Sequence, residues 1–179
     1  MRIFLSSGIP KSVKDKLEQV QGVLKEQLGN SNIRWEKPKK MHLTVLFVGK
    51  LEKERIKELE DIMVENSEHL KPFKLSLKEI TTFPNSRSPR VIIASIRDLT
   101  NAYNELQKTF VNGLKNRLFP YASPKPPHIT IARVRKGSLD LPSIELQGSN
   151  SFEVANIAIK KSTLHPTGAT HKTVSEIPL

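Results

Sequence analysis

The sequence predicts an α+β fold with two pseudo-symmetric lobes, antiparallel or mixed sheets around a central groove, and helices on the outside. Three observations favour this fold. Apolar spacing alternates between helical and strand periods, several strand pairs have connections too short for parallel crossovers, and one short motif occurs twice, at His42 and His128. The 179 residues suit a single domain with a buried core.

The first half of the chain predicts strand, helix, strand, helix. An apolar run at 1–6 indicates a strand, and apolar residues at helical spacing up to Leu28 indicate a helix that Gly29 ends. A second strand is predicted over 41–48, and a charged, amphipathic helix over 53–67.

The second half predicts a β-hairpin, a helix and further strands. Apolar runs over 73–80 and 90–96 flank a turn-forming stretch, which favours antiparallel strands. A helix over 101–115 places its apolar residues on one face, and a proline-rich segment then leads into another strand. Strands over 151–160 and 170–177 complete the prediction.

Composition restricts the setting of the protein. The chain contains no cysteine, which excludes disulfide scaffolds, thiolate zinc sites and cysteine nucleophiles, and favours a reducing environment. No apolar run reaches the length of a signal-peptide core or of a membrane span. We therefore expect a cytoplasmic protein without membrane association.

The charge balance points to anionic partners. The chain has 29 Lys and Arg against 18 Asp and Glu, a formal net charge of +11. A surplus of this size raises the local concentration of polyanions, so phosphate-bearing partners are indicated. A lysine-rich surface that only keeps the protein soluble explains the same charge, and charge alone leaves both interpretations open.

A His-apolar-Thr motif stands at His42 to Thr44 and again at His128 to Thr130, each time after a basic segment that contains proline. Because side chains alternate along a strand, the histidine and threonine of each copy share one face. The residues expected on the opposite, buried face are Leu43, Val45, Phe47, Ile129 and Ile131.

Phosphodiester chemistry can use two such pairs directly. A hydroxyl donates to a phosphoryl oxygen, one imidazole acts as a base and the other as an acid, and an ordinary imidazole has a pKa near neutrality. A single copy is more often a structural histidine on a strand. Two copies with matched lead-in segments favour a catalytic pair, His42 and His128, with Thr44 and Thr130 as phosphate ligands.

Arg133 lies five residues beyond His128 and is a candidate to bind a nonbridging phosphate oxygen. Strict alternation places it on the face of Ile129 and Ile131, so this role requires a β-bulge or a strand end. The alternative is a solvated arginine at a strand end.

The hairpin loop supplies further candidates for RNA binding. Arg87 and Arg90 are placed to bind the substrate backbone, although loop arginines are commonly just solvated. Phe83, in the same loop, is a candidate for stacking on a base. Trp35, which precedes the first motif, is another, although core packing suits it better.

The sequence predicts no cofactor. No His-x-His or His-x-x-x-His spacing suggests a metal site, and the glycines lack the spacing of a phosphate-cradling loop, so neither a metal nor ATP is expected. His69, near a helix end, and His165, in a His-Pro turn, are interpreted as structural or surface residues.

At its paired motifs the sequence resembles the two-histidine (2H) phosphoesterase superfamily and, within it, the RNA 2′,3′-cyclic phosphodiesterases also called 2′-5′ RNA ligases. The similarity runs nearly end to end, from the opening strand through Arg34-Trp35 and both motifs to Gly168. Two positions depart from it: His171 stands where members often carry tyrosine, and Ile93 where many carry tryptophan.

The resemblance implies one 2H domain over 1–179, made of two intertwined lobes, that opens a ribose 2′,3′-cyclic phosphate to a 2′-phosphate. His42 would protonate the departing O3′ and His128 would activate water. The residues implied to hold the phosphate are Thr44, Thr130 and Arg133. The implied partner is RNA with a 2′,3′-cyclic phosphate end, and the reverse reaction would be 2′-5′ joining without ATP. We expect a monomer.

Two alternatives stay open. A noncatalytic RNA-binding module would use the basic groove alone, but binding does not call for two equivalent imidazole and hydroxyl pairs. A 2H phosphodiesterase that acts on a small cyclic nucleotide, or on ADP-ribose 1″,2″-cyclic phosphate, is not separated from the RNA enzyme by sequence.

Overall fold

The computed structural model describes residues 1–28, 32–146, 148, 150–166 and 168–179. Gly29, the predicted end of the first helix, lies outside these residues. The strands are β1 (Arg2–Ser7), β2 (Ile33–Trp35), β3 (Leu43–Lys50), β4 (Phe73–Phe83), β5 (Val91–Arg97), β6 (His128–Val134), β7 (Ser151–Val154), β8 (Asn156–His165) and β9 (Gly168–Pro178). The helices are α1 (Lys11–Leu28), α2 (Ile56–Ser67) and α3 (Ala102–Asn116), with a short 3₁₀ helix over Pro38–Lys40. The α+β class is confirmed.

The nine described strands form one sheet, and their pairings are antiparallel. Strands follow one another in the order β7-β4-β5-β6-β3-β1-β8-β9, and β2 pairs with β6. We call β3, β1, β8 and β9 the first half-sheet, and β6, β5, β4 and β7 the second half-sheet. The half-sheets meet where Leu43 of β3 pairs with Ile129 of β6. The first half-sheet contains strands from both ends of the chain, so the two halves of the sequence are interleaved.

The prediction of one strand over 151–160 is wrong. β7 pairs with β4 in the second half-sheet, whereas β8 pairs with β1 in the first. The β-forming pattern continues across Ala155, so spacing alone does not mark this change of half-sheet. β2 was not predicted because three residues are too few to show a period. The other predicted boundaries differ from the observed ones by at most three residues.

The helices bury the apolar stripes that the sequence predicted. Residues buried in the helices include Val13, Leu17, Val20 and Leu24 of α1, Leu59, Ile62 and Met63 of α2, and Leu106, Phe110 and Leu114 of α3. They belong to one apolar cluster with the sheet, and each fully buried side chain of this kind contributes about 1.5–3 kcal/mol. None of the described helices has the length and apolarity needed to cross a membrane.

Candidate active site

The two half-sheets border a cavity of about 710 Å³. All five residues predicted as catalytic or phosphate-binding line it: His42, Thr44, His128, Thr130 and Arg133. Leu43 and Ile129, which pair across the two strands, are the central residues of the two motifs. Continuing the antiparallel register by one step sets the histidine of each motif opposite the threonine of the other. The structure therefore brings together side chains that lie far apart in the sequence.

Both motif histidines are held in the same way. Nδ1 of His42 lies 2.7 Å from the carbonyl oxygen of Lys40, and Nδ1 of His128 lies 2.8 Å from that of Pro126. A carbonyl oxygen only accepts, so each Nδ1 carries a hydrogen and donates it. Nε2 of each ring is then the nitrogen that can accept or deliver a proton.

Matching β-bulges turn the side chains that follow each motif. The register of β3 with β1 skips Val45, and the register of β6 with β5 skips Ile131. One extra residue reverses the alternation beyond it. The bulge on β6 thereby turns the side chain of Arg133 to the face of Thr130, and Arg133 lines the cavity. The bulge on β3 overturns the expectation that Phe47 is buried, since its side chain is 49% exposed and lines the cavity.

Two buried glutamines hold the bulges. Nε2 of Gln107, on α3, donates to the carbonyl oxygen of Val45 at 2.7 Å, and Nε2 of Gln21, on α1, donates to that of Ile131 at 2.7 Å. The Ile131 carbonyl oxygen also accepts from the backbone N–H of Glu36 at 2.9 Å. Hydrogen bonds to buried carbonyl oxygens are stabilising, so the glutamines support the backbone where the ladders are interrupted. Sequence reasoning missed the glutamines, although they are separated by the same interval as the two motif histidines.

His42 lies in an electropositive, half-buried setting. Burial lowers its pKa to about 4, and the positive charges of Lys160, His171 and Arg133 act in the same direction, while its hydrogen bond to the Lys40 carbonyl opposes the shift. This pKa lies well below the ordinary value of a histidine, so the His42 ring is neutral at pH 7 in the ligand-free protein. A bound phosphate anion favours the protonated ring and raises this pKa.

An aromatic cluster forms one wall of the cavity. The centroid of the Phe4 ring lies 5.3 Å from that of His42, 5.8 Å from that of Phe47 and 5.0 Å from that of His171. His171 also meets His42 edge-on at 5.4 Å, and burial lowers its pKa, with Lys160 adding to the shift. Phe47 and His171 thus offer ring surfaces next to the catalytic candidates, a contribution that the sequence did not predict.

Cations outnumber carboxylates around the cavity. Arg2, Arg34, Lys40 and Arg133 line it, against the single carboxylate of Glu36 among the described lining residues. Oε1 of Glu36 lies 3.4 Å from Nε of Arg133. The remaining positive charge suits a ligand with more than one negative group. The described part of the chain contains no cluster of three or more side chains that could hold a metal ion.

Other candidates lie elsewhere. Phe83, Arg87 and Arg90 are exposed and do not line the cavity, so their role in RNA binding stays a prediction. Trp35 packs against the core, as expected. His165, interpreted as structural or surface, lines the cavity, and its Nε2 lies 3.0 Å from Oγ1 of a threonine on the neighbouring strand.

Known proteins resemble this chain over nearly its full length. Residues 8–93 match the family described as LigT like Phosphoesterase. An RNA 2′,3′-cyclic phosphodiesterase of Methanocaldococcus jannaschii is 31% identical, with 98% of this chain and 99% of that protein covered. Another of the same description, from Archaeoglobus fulgidus, is 29% identical, with 96% and 97% covered.

Solved structures share the fold. The crystal structure of TT0787 of Thermus thermophilus has a TM-score of 0.88 and 24% identity, covering 100% of this chain and 98% of the other. The structure of E. coli LigT complexed with NADP+ has a TM-score of 0.82 and 17% identity, covering 99% and 97%.

Proposed function

This chain belongs to the LigT-like, two-histidine phosphoesterases, and from that premise we propose that it is an RNA 2′,3′-cyclic phosphodiesterase. The observation that carries the proposal is the meeting of two His-apolar-Thr motifs at one cavity, each ring with its Nδ1 engaged by a carbonyl oxygen. The reaction opens a terminal ribose 2′,3′-cyclic phosphate to a 2′-phosphate.

The proposed mechanism divides proton transfer between the two rings. Nε2 of His128 removes a proton from water, and the water oxygen forms a bond to phosphorus. The bond from phosphorus to O3′ breaks, and Nε2 of His42 gives O3′ its proton, which leaves a 2′-phosphate and a 3′-hydroxyl. Because His42 is neutral in the ligand-free protein, the anionic substrate must bring about its protonation on binding.

The proposed phosphate ligands are the hydroxyls of Thr44 and Thr130 and the guanidinium of Arg133. Hydrogen-bond donors fixed around a phosphoryl group stabilise the charge that develops on its oxygens. We also propose that the enzyme needs neither metal nor ATP and works in the cytoplasm, since the sequence shows no ligand spacing, no nucleotide loop and no cysteine.

The test is end-group analysis of a short RNA with a 2′,3′-cyclic phosphate, incubated with the protein in EDTA. We expect conversion to a 2′-phosphate, with loss of activity in His42→Ala and His128→Ala. Loss of wild-type activity in EDTA, restored by a divalent ion, would contradict metal independence. Binding of the RNA without turnover would favour a noncatalytic module. A 5′-hydroxyl RNA added to the same reaction reports whether 2′-5′ joining occurs.

A further inference from the structure

A second arginine, Arg34, lines the cavity beside Arg133. Arg34 of β2 pairs directly with Arg133 of β6, so the two side chains share one face, with their Cβ atoms about 5 Å apart. Like charges in this position destabilise a sheet. Glu36 accepts from Arg133, but across the described residues the Arg34 guanidinium makes no hydrogen bond or ion pair.

Gly168 gives the Arg34 guanidinium a flat support. A Cβ added at Gly168 would lie 3.1 Å from Nη1, 3.2 Å from Cζ and 3.3 Å from Nη2 of Arg34. Three nearly equal distances mean that the plane of the guanidinium faces the glycine. Gly168 has φ of +123°, a conformation that favours glycine on its own account. Face-on packing leaves the N–H groups at the edge of the plane free to bind an anion.

Measured along the paired strands, the contact between Arg34 and Gly168 is separated from Thr44 of the first motif. Thr44 is level with Ser6 of β1, which pairs with Ala158 of β8. Gly168 pairs with His165, at the far end of β8, seven residues beyond Ala158. Arg34 therefore lies beside Arg133, and its guanidinium is directed toward Gly168, at the end of the cavity where β8 meets β9. This position suits a phosphate next to the one that Thr44 and Arg133 are proposed to hold.

We propose that Arg34 binds a second phosphate, the phosphodiester one nucleotide before the cyclic end of the RNA. This inference rests on the proposed function and specifies its substrate: a cyclic phosphate at the end of an oligonucleotide rather than on a mononucleotide. A planar guanidinium held at its face binds the oxygens of a phosphodiester through two parallel hydrogen bonds.

The experiment compares three substrates by kcat/KM. The first is a mononucleoside 2′,3′-cyclic phosphate, the second a dinucleotide with a phosphodiester linkage and a cyclic phosphate end, and the third the same dinucleotide with an uncharged methylphosphonate linkage. The second and third differ only in the charge and one oxygen of the linkage. We expect the wild-type protein to prefer the charged dinucleotide over the uncharged one by about tenfold or more.

Two variants and a matched control locate this preference. Arg34→Ala removes the guanidinium, and Gly168→Ala places a methyl group against it, so both should bring the ratio between the two dinucleotides close to one. Arg97→Ala removes the same charge from an exposed strand end outside the cavity and should keep the wild-type ratio. Thermal unfolding of each variant checks that it is folded.

The outcomes separate this inference from the proposed function. If the wild-type protein opens none of the three substrates, the proposed function fails. If it opens both dinucleotides equally well, the function stands and the second phosphate site is wrong. A fall of equal size on all three substrates in Arg34→Ala would place this arginine at the reacting phosphate and overturn the inference. ADP-ribose 1″,2″-cyclic phosphate also carries further phosphates, in a pyrophosphate. It tests whether the phosphate bound by Arg34 belongs to a small nucleotide instead of an oligonucleotide. If it shows the greater dependence on Arg34, the oligonucleotide assignment is wrong.

Discussion

Leu43 and Ile129 pair across the line where the two half-sheets meet, and each directly follows a cavity histidine. The pairing gives the two rings equivalent settings relative to the strands, yet it does not make their environments equal. Burial lowers the pKa of His42, and Phe4 and His171 pack against its ring. The roles of the two histidines are therefore separable by experiment.

The first prediction concerns this division of roles. His42→Ala should lower kcat/KM on the cyclic phosphate by about 10²–10⁴-fold, because a ribose oxygen is a poor leaving group that needs an acid. On a nitrophenyl phosphodiester, whose leaving group needs no proton, the same variant should be only mildly impaired. His128→Ala lacks the base that prepares water and should be impaired on both substrates. Wild-type turnover of the nitrophenyl ester is the control, and the reverse pattern would exchange the two roles.

The second prediction concerns stability at acidic pH. The pKa of His42 is about 4 when folded and 6.5 when unfolded, so below pH 6.5 the unfolded chain binds the extra proton. The free energy of unfolding is therefore not reduced by His42 above pH 6.5, and it decreases as the pH falls from 6.5 toward 4. Between pH 7 and pH 4.5, the free energy of unfolding of the wild-type protein should fall by roughly 2–3 kcal/mol more than that of His42→Gln, which has no imidazole to protonate.

Denaturant unfolding across this pH range measures the second prediction, with His69→Gln, an exposed histidine, as the matched control. An NMR titration of the His42 ring gives the pKa directly. It should rise from about 4 when a nucleoside 2′-phosphate binds. A pKa near neutrality in the free protein would contradict the account of burial given above.

The third prediction concerns the glutamines behind the bulges. Gln107→Leu removes the glutamine donor from the Val45 carbonyl oxygen, and Gln21→Leu removes it from the carbonyl oxygens of Ile131 and Glu36. Each variant should lower the free energy of unfolding by about 1–3 kcal/mol, the smaller loss being expected for Gln21→Leu because Ile131 keeps the backbone N–H of Glu36 as a donor. Gln21→Leu should also lower kcat/KM, since Ile131 and its bulge set the direction of Arg133. Gln19→Leu, at an exposed position of the same helix, is the control. Unchanged stability in both variants would show that the bulges hold without these bonds.

The fourth prediction concerns the base of the terminal nucleotide. Phe47→Ala should weaken substrate binding by about 1–3 kcal/mol, because an exposed ring in the cavity is available for stacking. The KM for a nucleoside cyclic phosphate should rise, whereas that for ribose 2′,3′-cyclic phosphate, which has no base, should stay the same. Phe83→Ala serves as the comparison. A larger effect there would move the stacking site to the hairpin loop.

The repeated motif and the helical periods predicted much of this molecule from the sequence alone. Paired His-apolar-Thr segments predicted which side chains meet, because matched strand segments have matched faces. The same alternation failed at Phe47, and it left Arg133 dependent on a bulge. A bulge depends on the register with the neighbouring strand, and the residues of a single strand do not reveal that register.

The sequence by itself determined the α+β class, the helix stripes and the five residues that line the cavity as catalytic and phosphate-binding candidates, since these follow from local periods and a repeat. Only the tertiary structure decided the change of half-sheet at Ala155, the cross-chain bonds of Gln21 and Gln107, the depressed pKa of His42 and the support of Arg34 by Gly168. The physical reason is that burial, register and close approach arise between segments distant in sequence, and no local pattern carries them.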